Sequence, residues 1–212
     1  EVVAAIIGVE TRYGAVTGRR RVLDSLVTLS LEYPRRSKFF LAQLKEFLTL
    51  SHSGTVNPLE TKGSYAGAIG IPQFMPTSYQ HYAIDFDGDG YINLVDSSVD
   101  AIGSVAHYLK HHGWRVKEPI VKRLSDSEGE RIRDYATGSF TVDVPVMALV
   151  EEGISPLRDR FQGDKVGIVR LEHDGYDTFR VAYPNFFVLT RYNRSHNYAM
   201  TVFELAEKIQ ND

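Results

Sequence analysis

The sequence predicts an α+β fold, predominantly α-helical, with a small β-containing subdomain in its second half. Three observations carry that expectation. Apolar residues recur at helical spacing in Val2 to Gly14, Asp24 to Glu32, Lys38 to Leu50, Ala101 to His112 and the last stretch of the chain. Strand-like runs are confined to Lys165 to Glu172, Thr178 to Tyr183 and Phe186 to Thr190, the first two joined around His173, Asp174 and Gly175. At 212 residues the chain is long enough for one sizeable core that carries a smaller one.

Composition narrows the function classes. Lys and Arg total 24 against 27 Asp and Glu, a formal charge of -3, so no global positive field recommends nucleic acid as a partner. A neutral polymer such as a glycan stays open. With no cysteine the fold owes nothing to disulfides, which suits a reducing compartment and equally a cell-envelope protein built without them. No apolar run approaches the roughly 18 residues of a membrane span, and no leader precedes the first element. Because the first residue already lies in helical pattern without a cap, we expect an upstream segment, with any export signal, to be missing.

In the first helix Val3, Ile6, Ile7, Glu10 and Tyr13 share one face, which directs a carboxylate inward. An ionised glutamate taken out of water needs a partner or a proton. Glu10 is therefore paired with Arg12 or another arginine, or set at the rim of the apolar face, or a general acid held protonated. Asp24 is placed to cap the second helix, which Pro34 ends, and Ser37 to cap the third, with Phe40, Leu41, Leu44, Phe47 and Leu48 apolar. Arg35 and Arg36 at the junction are a solvated corner or a seat for an anionic group.

Ser51 to Lys62 is a polar loop leading to GSYAGAIGIPQFMPTSY, Gly63 to Tyr79. Its glycines permit tight turns, and Ser64 and Gln73 sit among Tyr65, Phe74 and Met75. That mixture fits a groove wall meeting sugar rings and hydroxyls, or a well-packed irregular loop. DFDGDGYINLVD, Asp85 to Asp96, is more specific: oxygen side chains at positions 1, 3 and 5, glycine at 6 and a carbonyl at 7 from Tyr91 follow the EF-hand calcium loop. The pattern departs at position 12, where Asp96 replaces a longer glutamate; Asp100 is the rival closing ligand. Ile102, Val105, Ala106 and Leu109 mark the apolar face of the next helix, and His107, His111 and His112 have no carboxylate set that would make them metal ligands. From Lys117 to Gly138 the chain is charged and less periodic. Asp143 is placed to cap a short helix with Pro145 in its first turn and Gly153 after it. Tyr192, Asn193 and Tyr198 then form a polar, aromatic corner, either an ordinary turn into the last helix or the lining of a site.

GVETRYG around Glu10, YPRR at Tyr33 to Arg36, KGSYAGAIGIPQFMPTSY, DFDGDGYINL, DAIGSVAHYL and LTRYN together resemble one family, in its order: the B-type membrane-bound lytic murein transglycosylases, soluble forms included. The resemblance implies a lysozyme-like catalytic core over residues 1–117 with a calcium loop at 85–100, a β-containing insertion at 118–185, and a return to the core at 186–212. It implies cleavage of the β-1,4 bond between N-acetylmuramic acid and N-acetylglucosamine in peptidoglycan, with 1,6-anhydromuramyl products. Glu10 would be the acid/base; Ser64, Gln73, Tyr108, Tyr192, Asn193 and Tyr198 would line the glycan groove; Arg35 and Arg36 would lie near peptide stems or muramyl carboxylates. A structural calcium would be held by Asp85, Asp87, Asp89, the Tyr91 carbonyl and Asp100. Glycan strands would be the partner of a monomer in the periplasm or envelope, attached to a membrane only through an upstream lipid anchor. The alternative is a calcium-dependent glycan-binding module without catalysis, in which Glu10→Gln leaves function intact.

Overall fold

The computed structural model describes residues 1–155 and 160–211. The chain divides into two compact units, Glu1–Tyr108 and a second from Leu109 onward, with the division inside one helix.

The first unit opens with α1 (Val2–Thr11), which buries Val2, Ala5, Ile6 and Ile7. It ends abruptly because Arg12 and Tyr13 both turn left-handed, at φ 50° and 59°, while their N–H groups close on the Gly8 and Ile7 carbonyls. Tyr13 is thus past the helix and exposed, a departure from the expected inward face. The next helix, α2 (Val22–Glu32), starts earlier than Asp24. Asp24 sits in its first turn and takes a two-pronged bond from Arg21, at 2.8 and 2.9 Å, instead of capping.

Ser37 likewise belongs to α3 (Ser37–His52) and donates its hydroxyl to the Ser30 carbonyl at 2.5 Å. The buried stripe of α3 is Phe40, Gln43, Phe47 and Leu50, whereas Leu41 and Leu48 are exposed. The reason is packing on two sides: α3 lies against α2 and α4 (Pro76–Tyr82). Gln43 Oε1 accepts from the N–H and hydroxyl of Thr77 in the first turn of α4, at 3.1 and 3.0 Å.

Between them β1 (Arg20–Arg21) pairs antiparallel with β2 (Lys62–Gly63). From there the chain folds back through bridges of Ile69 with Gly63 and Phe74. Gly70 has φ +73°, and a Cβ there would stand 2.2 Å from the Leu94 carbonyl oxygen. Strain and overlap act together, so Gly70→Ala is expected to cost about 3 kcal/mol or more in urea unfolding; a loss under about 0.5 kcal/mol would contradict the close approach. The last helix of this unit, α5 (Ser98–His111), buries Ala101, Ser104, Val105 and Tyr108, leaving Ile102 and Ala106 exposed. The expected face is shifted because Gly103 packs against Phe86, and Tyr108 against Tyr82 and Phe74.

The second unit is built on a four-stranded antiparallel sheet in the order β3-β6-β5-β4. Its strands are β3 (Val121–Arg123), β4 (Val144–Pro145), β5 (Lys165–His173) and β6 (Tyr176–Ala182). The expected hairpin is present, His173 opposite Tyr176 across a tight turn in which Gly175 takes φ +85°. Asp143 caps no helix: its N–H joins the sheet at the Val166 carbonyl, and Pro145 lies on the edge strand, where it withholds no ladder bond, before α7 (Val146–Glu151). The charged stretch holds β3 and α6 (Asp126–Arg131), whose Ser125 and Glu128 form a reciprocal capping box. Ile132, Leu149, Phe161, Val166, Val181 and Tyr183 belong to one buried cluster.

Phe186 to Thr190 is not a strand. It lies in α8 (Pro184–Tyr192), with Pro184 in the first turn and every residue from Asn185 to Thr190 buried. Asn185 holds the chain leaving α5: its amide donates to the Arg115 and Glu118 carbonyls at 2.8 and 3.0 Å, and its Oδ1 accepts from Arg115 N at 2.8 Å. Losing three bonds and orphaning their partners, Asn185→Ala is expected to destabilise by about 3 kcal/mol in urea unfolding; a change below about 1 kcal/mol would show that water replaces the side chain. The chain closes with α9 (His196–Asn211). No helix among the described residues is long and apolar enough to cross a membrane.

Candidate active site

Glu10 occupies the last turn of α1, half-buried beside the two left-handed residues. A non-glycine residue at positive φ costs on the order of 1 kcal/mol or more, so two in a row need outside support. Thr11, 1% exposed, supplies it. Its hydroxyl donates to the Ile71 carbonyl at 2.8 Å and accepts the Gly14 N–H at 3.0 Å, which fixes the helix end to the glycine-rich loop. Nothing in the apolar period of the sequence signalled this threonine.

Two further contacts join the segment after Glu10 to that loop. Gln73 is itself left-handed, at φ 50°, and its amide donates to the Thr17 and Gly70 carbonyls at 2.9 and 2.8 Å. Gly18 lies so close to Gly63 that a Cβ would meet the Gly63 carbonyl oxygen at 2.0 Å. Ser64 faces inward to its own loop, its hydroxyl accepting from Ala66 and Ala68 N–H at 3.2 and 3.0 Å. Glu10, Ser64 and Gln73 thus belong to one stitched region. Gln73 holds the loop with its nitrogen, and Ser64 with its oxygen.

Tyr108 is 6% exposed, its ring 4.9 Å from Tyr82 in an edge arrangement and 5.7 Å from Phe74. Arg35 and Arg36 occupy a single 3-10 turn, Pro34–Arg36, and are exposed. The Arg36 guanidinium lies over Phe39 at 4.2 Å. Neither arginine takes part in the contacts that stitch the Glu10 segment to the loop. In the second unit, Tyr192 and Tyr198 run parallel, 12° apart with centroids at 6.4 Å, and Asn193 between them in sequence ends α8 and is exposed.

The aspartate loop has a different chemistry. Carboxylate oxygens of Asp85, Asp87 and Asp100 lie within 4.8 Å of one another. Asp100 is 1% exposed in the first turn of α5, and its two oxygens accept the Phe86 and Asn93 N–H groups at 2.9 and 2.8 Å. Asp85 accepts from Gly88 and Gly90 N–H, both glycines at positive φ. Asp89 stands outside the trio, accepting the Tyr91 N–H at 2.8 Å, and Asp96 turns to Asn93 at 3.5 Å. Three converging carboxylates with oxygen-only chemistry fit a hard cation such as calcium. The histidines go elsewhere: His107 Nδ1 meets the Tyr82 carbonyl at 3.0 Å, and His111 and His112 pack edge to face.

A half-buried glutamate at a strained helix end, a glycine-rich loop bonded to the residues that follow it, and three converging aspartates are what the first unit brings together. The chain belongs to the transglycosylase SLT domain family, which it matches over residues 1–207. It is 42% identical over 209 residues to the membrane-bound lytic murein transglycosylase B of Escherichia coli K12, covering 99% of this chain and 56% of that protein. The chain therefore spans little more than half the length of this relative. The soluble lytic transglycosylase SltB1 of Pseudomonas aeruginosa superposes with a TM-score of 0.86 at 45% identity, covering 99% of this chain and 69% of that one. Lytic transglycosylase Slt35 of Escherichia coli, in a structure holding calcium, superposes at 0.85 with 40% identity, covering 97% and 64%.

Proposed function

We propose that this chain is a lytic murein transglycosylase, cleaving the β-1,4 bond between N-acetylmuramic acid and N-acetylglucosamine, with Glu10 as its one acid/base. The observation that carries the reading is the setting of Glu10: a half-buried carboxylate on an otherwise apolar helix, held at a strained corner that Thr11 and Gln73 lock in place. Such strain is maintained where position matters more than stability.

Protonated Glu10 gives its proton to the glycosidic oxygen, and the C1–O bond breaks through an oxocarbenium-like state. The departing N-acetylglucosamine keeps the electron pair and the proton as its 4-hydroxyl. The Glu10 carboxylate then takes the proton of the muramyl 6-hydroxyl as that oxygen bonds to C1, which restores the acid and leaves a 1,6-anhydro sugar. No water is consumed. A hydrolase would use a second carboxylate, but the motif aspartates of the first unit are drawn into the cation loop. Ser64, Gln73, Tyr108, Tyr192, Asn193 and Tyr198 are assigned to the sugar, and Arg35 and Arg36 to acidic groups it carries. The hydrogen bonds of Gln73 and Ser64 support a role for them in holding the loop proposed to meet the glycan.

Asp85, Asp87 and Asp100 would hold a structural calcium, with Asp89 and the Tyr91 carbonyl completing it. When bound, the ion would offset the mutual repulsion of these carboxylates and fix the loop ahead of α5. The protein is assigned to the cell envelope, acting on glycan strands as a monomer. Turbidity and reducing ends followed together on one peptidoglycan suspension test the activity. Clearing without new reducing ends is expected, since an anhydro end does not reduce; clearing with a matching rise would mean hydrolysis.

A further inference from the structure

We propose that the second unit has a binding site of its own, for a short peptide bearing a free carboxylate and a free amine, in the cavity where α9 begins. The cavity has a volume of about 560 Å³, and its walls include Thr137, Phe140, Arg170, Glu172, Arg194 and His196. That size lies in the range that takes a small ligand.

Its charges are arranged unevenly. Arg170, on β5, is already used: its Nε bonds Asp177 at 2.9 Å and its terminal nitrogen reaches Glu172 at 3.5 Å. Arg194 forms no ion pair among the described residues. Instead its guanidinium lies over Phe140, 4.7 Å from the ring centroid, and the His196 ring packs on the same phenylalanine at 4.4 Å. Stacking holds the guanidinium in place and leaves its N–H fork open, which is the geometry for a carboxylate. His196 adds no competing charge near neutral pH, because burial lowers its pKa and outweighs the opposite pull of the Ser139 carbonyl, to which its Nε2 donates at 3.0 Å.

Glu172 supplies the opposite sign. Its side chain is 76% exposed and only loosely held by Arg170, so it can accept an ammonium. Arg170 and Glu172, two residues apart on β5, share one face of the strand, which places the carboxylate beside the wall that carries Arg194. A ligand with only a carboxylate would leave Glu172 repelled, and a neutral sugar would leave Arg194 without a partner. A zwitterionic peptide answers both, with Phe140 for its apolar part. On the transglycosylase reading, on which the identity of this peptide rests, it is the stem of peptidoglycan, whose residues carry both groups.

The test is calorimetric titration of the full chain carrying Glu10→Gln with a synthetic, sugar-free stem tetrapeptide containing a diamino acid. Saturable binding is expected, weakened about tenfold or more by Arg194→Gln or by amidating the peptide carboxylates, and about threefold by Glu172→Gln. Lys45→Gln, which removes an exposed positive charge of α3, should leave it unchanged. Both second-unit substitutions are at exposed positions, and unchanged melting temperatures will show that the variants are folded. No saturable binding, or equal binding by Arg194→Gln, overturns the site. Cleavage of peptide-free glycan, followed in parallel with the unsubstituted chain, separates the two proposals. Cleavage without peptide binding removes this site alone, whereas peptide binding without cleavage supports the site and removes the transglycosylase reading.

Discussion

Glu10→Gln is expected to keep the fold and to lose peptidoglycan cleavage by about three orders of magnitude. Glutamine matches glutamate in size and accepts hydrogen bonds through its oxygen, so the half-buried end of α1 should stay packed as Thr11 holds it. What disappears is the transferable proton. General acid and base catalysis contributes about 10²- to 10⁴-fold to such reactions, and in the proposed mechanism one group serves both steps. Glu10→Asp tests position separately from chemistry: the acid remains but sits about 1 Å short, a displacement of the kind that costs about 10²-fold. Rates on purified peptidoglycan, with melting temperatures of both variants, check this. If Glu10→Gln retained more than about a tenth of the rate, the acid would have to be sought elsewhere.

Removing calcium is expected to lower the melting temperature by about 5 to 10 °C. Three carboxylates within 4.8 Å repel one another, and Asp100 is held among them by two backbone N–H groups and cannot swing away. A cation at about 100 times its dissociation constant stabilises the folded state by about 2.7 kcal/mol, which in a chain of this size gives the shift stated. Asp87→Asn, at an exposed position, should leave the fold intact in excess calcium and move the half-saturating concentration up about tenfold or more. Asp100→Asn should cost about 1 to 3 kcal/mol even with chelator present, because its new NH₂ would face the Phe86 or Asn93 N–H. Melting curves at controlled free calcium decide the point. Identical curves with calcium and with chelator would mean that the loop is a turn without an ion.

Helices with a clear period, and the hairpin from Lys165 to Ala182, were legible because their signals are local. Misreadings arose where tertiary packing chose among local options. Phe186 to Thr190 is apolar, aromatic and β-branched, which reads as a strand, yet burial on all sides together with Pro184 in the first turn makes it helical. Ser125 and Glu128 did announce a helix in the charged stretch, through a spacing that was in the sequence and went unused. In α3 the buried stripe shifts to Gln43 because Thr77 comes to meet it, which no window around Gln43 reveals.

The same limit applies to the site. Glu10 and the aspartates stand out as residue types in unusual company, which is why the sequence proposes them. That Asp100, and not Asp96, joins Asp85 and Asp87 depends on a turn of α5 folding back over the loop. The roles of Thr11 and Asn185 depend on partners about 60 to 70 residues away, and only the folded chain brings these together. Ser64 and Gln73 were legible as polar residues among glycines, while the direction of their hydrogen bonds was not.

The most direct test of the central claim is mass spectrometry of the fragments released from purified peptidoglycan in heavy-oxygen water. The account predicts muropeptides one water lighter than hydrolysis products, carrying no solvent oxygen and absent when Glu10→Gln replaces the unsubstituted chain. Fragments with a labelled reducing end would contradict it, since a solvent oxygen at C1 means that water, and not the muramyl 6-hydroxyl, closes the reaction.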